Sequence, residues 1–329
     1  MTVSDQIRRI KNAKAAIKEA IQNKGVNVSD TAKLDEYPAL IDSISGEGGS
    51  VDAGYWPKFF EAKTSNLTTL RYAFAYMSAK STDTDIKNFI ENLDTSKVTE
   101  MKNAFDNFGN YSDPPDLNLT KWNIEEVRTN IDKMFYFCRC SIDISGWKFT
   151  KVTSLYQFIY YSYATTIVMR NCDTSTITNM NYAFAPCDNL VSIDITGCDT
   201  SKVTNMNYMF SGDKKLVNII GEIDASSLAN GLYPGSSSHP FYNCNALETV
   251  YIKNIYKDIP VTNASKYSIN LGTTKVKDEC LIYIINELPD LTTKGLTDTS
   301  SIILTLPTTN TLTDEQKQVA IDKGWTVAN

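Results

Sequence analysis

Residues that usually carry catalysis are scarce in this sequence. The single histidine, His239, precedes a proline in a serine-rich stretch, so it is expected to be solvated or to form a turn. The acidic pairs Glu125–Glu126 and Asp83–Asp85 could serve a glycosidase, but both fall on irregular or solvent-facing stretches. No G-x-G-x-x-G, P-loop or H-E-x-x-H motif is present. Because a catalytic triad needs a nucleophile, a base and an orienting group, the sequence predicts a protein that is not an enzyme.

The seven cysteines lack the paired spacing of a zinc site or a disulfide framework. They are Cys138, Cys140, Cys172, Cys187, Cys198, Cys244 and Cys280. Four of them form two pairs at equivalent positions of a repeat, which favours small buried side chains in a reducing compartment over disulfides. Cys138 and Cys140, separated by one residue, are the exception. No metal and no cofactor are expected, since the chain has only one histidine to assist the thiols.

Length and composition indicate a folded, water-soluble chain of two or three structural units. The chain has 329 residues, of which 42% are hydrophobic and 21% are charged. No run of apolar residues reaches the roughly 18 that a membrane-spanning helix needs. The net charge is −6 and the basic residues are spread along the sequence, which argues against nucleic acid as a partner. The first residues lead into a charged helix, so a secretory signal is not expected.

A strand-like motif recurs along the middle of the chain. The segment Leu190-x-x-Ile193-x-Ile195-x-x-Cys198 matches the leucine-rich pattern L-x-x-L-x-L-x-x-N/C. The equivalent positions are separated by 25, 25, 26, 26 and 31 residues, and they are Leu117, Ile142, Ile167, Ile193, Ile219 and Val250. The alternation of apolar and polar residues around these positions is typical of a strand with one buried face.

A second motif follows most of the strand-like segments. Residues 199–210, D-T-S-K-V-T-N-M-N-Y-M-F, have close counterparts that begin at Asp94 and Asp173. Valine, methionine and phenylalanine at i, i+3 and i+7 indicate one apolar face of a short helix. The Asp-Thr-Ser opening supplies side-chain oxygens for amides that such a helix leaves unpaired. Each repeat is therefore predicted to be a strand, a turn and a short helix, and the repeats must stack because one alone buries too little to fold.

This second motif carries a family resemblance. Residues 199–210 are similar to the hallmark of BspA-like leucine-rich repeat proteins, which occur in bacteria, mycoplasmas and phages. The resemblance covers about Leu67 to Ile255 and implies an α/β solenoid of irregular leucine-rich repeats at residues 67–260. Three departures interrupt the pattern: Gly221 at a strand position, an insertion from Asp106 to Pro115, and a Gly/Ser/Pro-rich excursion from Ala229 to Pro240.

The C-terminal segment, residues 261–329, is predicted to be an α/β cap that seals the exposed end of the core. A helix pattern starts at Asp278, residues 301–306 have the pattern of a strand, and a last short strand follows Trp325. A second helix is expected from the capping-box spacing that begins at Thr313. The motifs T-D-E-Q and K-G-W-T resemble the segment that follows such repeats in Bacteroidetes and phage proteins.

Residues 1–45 are predicted to form a helical docking or oligomerisation segment, followed by a glycine-rich linker and N-terminal cap at residues 46–66. The apolar stripe that would meet a partner consists of Ile7, Ile10, Ala13, Ile17 and Ile21. It either packs on Ala32–Ile44 as a helical hairpin or pairs with copies of itself. If the copies pair as a coiled coil, isoleucine at both kinds of apolar heptad position favours a trimer. Lys14 in the apolar stripe weakens such a bundle, so that a dimer or a monomer is also possible.

The same segment carries a second resemblance. The motifs I-K-N-A-K at residues 10–14 and K-L-D-E-Y-P at residues 33–38 resemble N-terminal modules of phage tail and fibre proteins. That resemblance spans about the first 45 residues of the chain. It implies that other virion proteins are partners of residues 1–45.

The strand face of the predicted solenoid is the candidate binding surface, because side chains between the buried positions project from it. It is mixed polar and aromatic, and its residues are Thr166, Val168, Arg170, Ser192, Asp194, Thr249, Tyr251 and Lys253. A second possible site is the tyrosine-rich stretch from Tyr156 to Tyr163, since tyrosine is enriched in recognition surfaces. The alternative is that these tyrosines form half-buried solenoid surface.

Together these features predict a structural protein of a phage virion, such as a head or tail fibre or appendage. It would be made in the bacterial cytoplasm, attach through residues 1–45 and display the solenoid to a glycan or protein on the host cell. The alternatives are a bacterial BspA-like surface adhesin, which needs an export signal or lipid anchor, and an intracellular protein-binding scaffold. Neither nucleic acid nor a membrane is expected as a partner.

Overall fold

The fold is of the α/β type, with two parallel sheets and few short helices across the described residues. The computed structural model describes residues 68–128, 131–228, 239–257, 268–294, 299 and 302–329. All of them belong to one structural unit, Ala62–Asn329. The α-helices of these described residues are α1 (Thr84–Glu91), α2 (Asp278–Glu287) and α3 (Asp314–Asp322), and Leu291–Lys294 form a 3-10 helix. The predicted docking segment and linker lie outside the described residues, and with them Ile7, Ile10, Ala13, Ile17 and Ile21.

Six strands form one sheet in which each strand pairs with the next along the chain. They are β1 (Leu117–Asn118), β2 (Ile142–Asp143), β3 (Thr166–Val168), β4 (Ser192–Asp194), β5 (Asn218–Asp224) and β6 (Thr249–Lys253), and all are parallel. The pairing follows the sequence frame: Leu117 lies opposite Ile142, Ile142 opposite Ile167, and Ile167 opposite Ile193. One step of the sequence motif therefore equals one step across the sheet, as predicted.

Gly221 marks the point where this regular pairing fails. The register between β5 and β6 shifts between Asn218 and Glu222, and Gly221 has a φ of +103°, which side chains rarely adopt. A Cβ at this position would lie 2.8 Å from the backbone nitrogen of Thr196 in the preceding repeat. The irregularity seen in the sequence is therefore a bulge that requires glycine.

The second motif of each repeat forms hydrogen-bonded turns, and the predicted short helix is wrong. In residues 180–184 alternate amides bond to the next repeat, with Met180 N donating to Asn205 O at 2.8 Å and Tyr182 N donating to Asn207 O at 3.0 Å. Tyr182 has a φ of +55°, which a right-handed helix does not allow. Bonds to the neighbouring repeat thus replace the i→i−4 bonds that a helix would make.

The Asp-Thr-Ser openings have two separate roles. Asp173 Oδ1 accepts a hydrogen bond from Ser175 N at 3.1 Å, so the predicted pairing of free amides with aspartate oxygens is confirmed. The threonine joins consecutive repeats, a role that the motif alone did not predict. Thr174 Oγ1 donates to Asp199 O and accepts from Asp199 N, both at 2.8 Å. The next repeat has the same arrangement, which makes the threonine hydroxyl a regular clamp between repeats.

One continuous hydrophobic core runs through the stacked repeats. Met180, Phe184, Met206 and Phe210, which the sequence predicted to be buried, are at most 3% exposed. The phenylalanines of successive repeats stack on one another, with ring centroids 5.4 Å apart for Phe184 and Phe210 and 6.1 Å apart for Phe210 and Phe241. Each repeat therefore completes the core of the next, as stacking requires.

Helices cover both edges of the six-stranded sheet. Helix α1 precedes the first Asp-Thr-Ser turn, and Glu91 Oε1 accepts from Asn118 N of β1 at 2.8 Å. Helix α2 packs on β6, and Glu287 Oε2 accepts from Asn254 N, directly after that strand, at 2.9 Å. Because unpaired strand amides invite pairing with another chain, the two carboxylates protect the edges of the sheet.

The C-terminal segment contains a second parallel sheet, formed by β7 (Ile269–Asn270), β8 (Ile303–Thr305) and β9 (Thr326–Ala328). The predicted helix, strand, helix and strand are all present. Thr313 caps α3 as expected, because it accepts from Gln316 N at 3.3 Å while its own amide donates to Gln316 Oε1 at 2.8 Å. None of the helices in the described ranges has the length and apolar character needed to cross a membrane.

Candidate functional site

The strand face projects the predicted side chains along β3 and β4, with one exception. Thr166 is exposed, and Val168 and Ser192 are half-buried, whereas the isoleucine that follows Thr166 or Ser192 in each strand is buried. This alternation is what a sheet with a single core face produces. Asp194 lies opposite Val168 in the register and thus on the same face. It is nevertheless buried, with only 3% of its surface exposed.

Arg170 and Asp194 form an ion pair on this face. Arg170 Nε donates to Asp194 Oδ2 at 2.5 Å, and Thr196 N donates to Asp194 Oδ1 at 3.0 Å. Burial raises the pKa of the Asp194 carboxyl, but the hydrogen bonds from Thr196 and Arg170 outweigh it and lower the pKa below its ordinary value. The side chain of Arg170 is 60% exposed, so a ligand would meet its guanidinium and not the Asp194 carboxylate.

A cleft of about 330 Å³ lies between α1 and the strand face of β1 to β3. Two of the predicted residues, Thr166 and Val168, line it. The other polar lining residues were not predicted, and they are Lys87, Asp116, Asn118, Ser141, Asp143 and Thr165. The sheet register could have found two of these, because Asn118 and Asp143 lie in line with Val168 across three strands.

The chemistry of the cleft suits a hydroxyl-rich or otherwise polar ligand. Ser141 Oγ and Thr165 Oγ1 are hydrogen-bonded to each other at 3.0 Å and are partly exposed, so both oxygens can accept from a ligand and one of the two hydroxyls can donate to it. Asp116 and Asp143 contribute two carboxylates, against one ammonium group from Lys87. This charge balance favours a neutral or cationic ligand over an anionic one.

The C-terminal end of the strand face is engaged by the protein itself. Tyr251 packs edge-on against Tyr283 of α2, with ring centroids 5.2 Å apart. Lys253 Nζ lies 2.8 Å from Glu222 Oε2, and the Tyr283 hydroxyl donates to Glu222 Oε1 at 2.7 Å. Thr249, in the same strand, is half-buried. The structure therefore separates the predicted residues of β6 from those of β3 and β4.

The tyrosine-rich stretch lies on the turns, away from the strands. Its rings join neighbouring repeats: Tyr160 contacts Tyr136 with centroids 6.0 Å apart and Tyr182 with centroids 5.6 Å apart, and Tyr182 stacks on Tyr208 at 4.4 Å. These four rings are half-buried, as the alternative interpretation expected, and Tyr161 is more exposed. Of these rings only Tyr160 belongs to the stretch, and it packs between tyrosines of the two adjacent repeats, whereas 43% of the surface of Tyr161 is exposed.

His239 is buried, so the expectation of a solvated side chain is wrong, but the residue does form a turn, the other expectation, because its carbonyl accepts from Tyr242 N at 3.3 Å. Only 4% of its surface is exposed, and its ring meets Tyr242 edge-on at 5.6 Å. The residue that follows it, Pro240, accepts a hydrogen bond from Phe210 N at 2.9 Å, which draws this segment into the phenylalanine stack. Burial lowers the pKa of His239 to about 4, so the imidazole is neutral at physiological pH.

The acidic pair at residues 125 and 126 lies on the surface, as expected. Glu125 Oε1 lies 2.8 Å from Lys148 Nζ, and Glu126 Oε1 lies 2.7 Å from Lys151 Nζ. These ion pairs join neighbouring repeats across solvent, where such pairs contribute little to stability. The two carboxylates thus have structural partners in the adjacent repeat.

Most of the cysteines occupy equivalent places in the repeats, as the sequence indicated. Cys172 Sγ donates to Ile144 O at 3.1 Å, and Cys244 Sγ donates to Phe210 O at 3.0 Å, in each case one repeat earlier. All seven are free thiols, and six of them are buried. Within the part of the chain that the structure describes, no cluster of His, Cys, Asp or Glu could hold a metal ion.

The repeated motifs agree with a known protein family. The family described as "Mycoplasma protein of unknown function, DUF285" matches residues 59–171 and again residues 157–248, which together are more than half of the chain. The chain belongs to this family. The family is associated with BspA-like repeat proteins, which agrees with the resemblance carried by residues 199–210. No curated protein and no solved structure matches the chain.

Proposed function

We propose that this member of the DUF285 family is a non-enzymatic virion protein that displays a BspA-like leucine-rich solenoid, formed by residues 67–260. In this proposal residues 1–45 attach the chain to other virion proteins of a head or tail fibre or appendage, as a hairpin or as a homo-oligomer such as a trimer. Residues 261–329 cap the end of the core. The parallel pairing of β1 to β6 in chain order supports the solenoid.

The observation that carries a binding role is the cleft on the strand face. Its lining provides hydroxyl, amide and carboxylate groups beside α1, while α2 covers the far end of the same sheet. Ligand sites are concave and contain a few polar groups that fix orientation, and the N-terminal half of the face has that form. We infer that the ligand is a glycan or protein of the host surface, bound across β1 to β3.

Immunogold electron microscopy of a culture that makes the protein tests its location. Antibody against the full chain should label phage particles after induction. Label confined to the bacterial envelope would instead identify an adhesin, and label confined to the cytoplasm would identify a scaffold. Deletion of the gene provides the control for antibody specificity.

Replacement of Thr166 by arginine tests the binding face. An arginine here would occupy part of the cleft, which Thr166 lines, whereas Thr153→Arg places the same side chain at an exposed position outside the cleft lining. Flow cytometry measures the binding of labelled full-length chain to host cells. Thr166→Arg should bind at least about tenfold more weakly than the wild type, a loss of about 1.4 kcal/mol in binding free energy, whereas Thr153→Arg should bind as the wild type does. Equal binding by the two variants would place recognition outside the cleft.

A BspA-like bacterial surface adhesin is the second candidate. It is favoured by the family description, which refers to a mycoplasma protein. Both candidates use the same strand face, so the Thr166→Arg experiment applies to either. The location of the protein on a virion or on a bacterial envelope distinguishes them.

A further inference from the structure

Two thiols meet in the core, in a turn between the second motif of one repeat and the following strand. Cys138 Sγ and Cys140 Sγ lie 2.7 Å apart, and both residues are completely buried. They are free cysteines, and their separation is shorter than an ordinary non-bonded contact between sulfur atoms. The sulfurs need to move only about 0.7 Å closer to reach the length of a disulfide bond.

The residue between them is fixed from outside the core. Arg139 Nη2 donates to Asn107 Oδ1 at 2.7 Å, and Arg139 Nη1 donates to Asn107 O and Gly109 O at 3.2 and 3.3 Å. The guanidinium also lies 3.6 Å from the ring centroid of Tyr111. Because Arg139 is held on one side of the turn, the two cysteine side chains are directed to the other side, towards each other.

The backbone of this turn is fixed as well. Cys138 O accepts from Tyr163 N and from Ser162 Oγ, both at 2.7 Å. The repeat-equivalent cysteines elsewhere donate their S–H groups to a carbonyl of the preceding repeat, as Cys172 does to Ile144 O. Cys138 and Cys140 instead have each other as the hydrogen-bond partner of the thiol. Cys172 and Cys198 also interact with each other, but each of them donates to a carbonyl as well. The direct contact of 2.7 Å between the two sulfur atoms is what distinguishes Cys138 and Cys140.

We propose that Cys138 and Cys140 are a thiol–disulfide site, which a disulfide oxidant such as oxidised glutathione converts to an intramolecular disulfide. One thiolate attacks the oxidant and releases one reduced glutathione, and the second protein thiol displaces the other. Two protein thiols lose two protons and two electrons, and one oxidised glutathione becomes two reduced molecules. The product closes the turn that carries Arg139.

Burial controls when this reaction can occur. Burial raises the pKa of the Cys140 thiol, and the hydrogen bond with Cys138 raises it further. Because the thiolate is the reactive form and neither sulfur is exposed, oxidation of the folded protein is expected to be slow. Oxidation during folding, before the core closes, is expected to be fast. The oxidation state of Cys138 and Cys140 is thus set by the redox conditions under which the chain folds.

Tryptic mapping provides a direct test, since trypsin cuts after Lys133, Arg139 and Lys148. Cys138 and Cys140 then lie on separate peptides, residues 134–139 and 140–148. The full chain is refolded from urea in a mixture of oxidised and reduced glutathione, alkylated and digested. The two peptides should appear as one disulfide-linked species that separates on reduction, and the refolded protein should have a higher melting temperature than the reduced form.

Two matched variants complete the test. Cys244→Ser removes a buried thiol that bonds to a carbonyl and should leave the linked species at its wild-type yield, whereas Cys140→Ser should abolish it. Circular dichroism of both variants checks that they fold. If Cys140→Ser does not fold, the peptide map of the wild type alone shows whether the disulfide forms. Recovery of both wild-type peptides in alkylated form, or linkage of either cysteine mainly to another partner, would overturn the proposal.

Discussion

The threonine clamp between repeats gives the sharpest stability prediction. Thr174→Val keeps a β-branched side chain of similar shape but removes the hydroxyl that bonds to both Asp199 N and Asp199 O, each at 2.8 Å. Two hydrogen bonds that each contribute about 0.5–1.5 kcal/mol predict a loss of about 2 kcal/mol in the free energy of unfolding. The threonine is completely buried, so water cannot replace the lost hydroxyl without a rearrangement of the repeat.

Thr178→Val is the matched control, because Thr178 is exposed and its hydroxyl makes one long bond, 3.3 Å, to Thr153 O. Its expected cost is within about 0.5 kcal/mol of zero. Urea unfolding of the full chain, followed by far-ultraviolet circular dichroism, measures both variants against the wild type. Thr174→Ser, which retains the hydroxyl, should recover most of the loss. Equal midpoints for Thr174→Val and Thr178→Val would refute the clamp.

Three further predictions concern the core, the buried histidine and the N-terminal segment. Phe210→Ala should lower the free energy of unfolding by about 3–5 kcal/mol, because the ring is completely buried between Phe184 and Phe241. The same urea assay measures this loss, and a value below about 1 kcal/mol would contradict the stacked core. Burial lowers the pKa of His239 from 6.5 to about 4 in the folded chain, so the unfolded state binds more protons between these two pH values. The free energy of unfolding should therefore fall as pH drops through that window. His239→Phe should flatten the pH dependence of the urea midpoint between pH 7 and 5, and an unchanged slope would exclude the histidine as its cause. Removal of residues 1–45 should leave a chain that is still folded, as measured by circular dichroism, but that no longer assembles, as measured by light scattering. Normal assembly of the truncated chain would exclude a docking role.

The repeat frame and the core were predictable because both depend on local periodicity. Leu117, Ile142, Ile167 and Ile193 recur at nearly constant spacing, and a parallel sheet with one buried face places such positions opposite each other. The capping box at Thr313 also follows from residues three apart in the sequence. These features require only that near neighbours in the chain contact one another, or that equivalent residues stack.

The candidate site was predictable only in part. Thr166 and Val168 follow from strand alternation, and both line the cleft. Lys87 enters the cleft because α1 covers the edge of β1, an arrangement that no repeat motif describes. At the other end, α2 engages Tyr251, and its position depends on a segment far along the chain.

The sequence by itself determined which apolar residues of each repeat face the core and how far the chain advances with each repeat. Tertiary structure alone decided the backbone form of the second motif, because the amides of Met180 and Tyr182 find acceptors in the next repeat instead of within their own turn. It also decided the burial of His239, which follows from the docking of Pro240 against the phenylalanine stack. In each case the deciding partner lies at least 25 residues away in the sequence, where periodicity within one repeat carries no information about it.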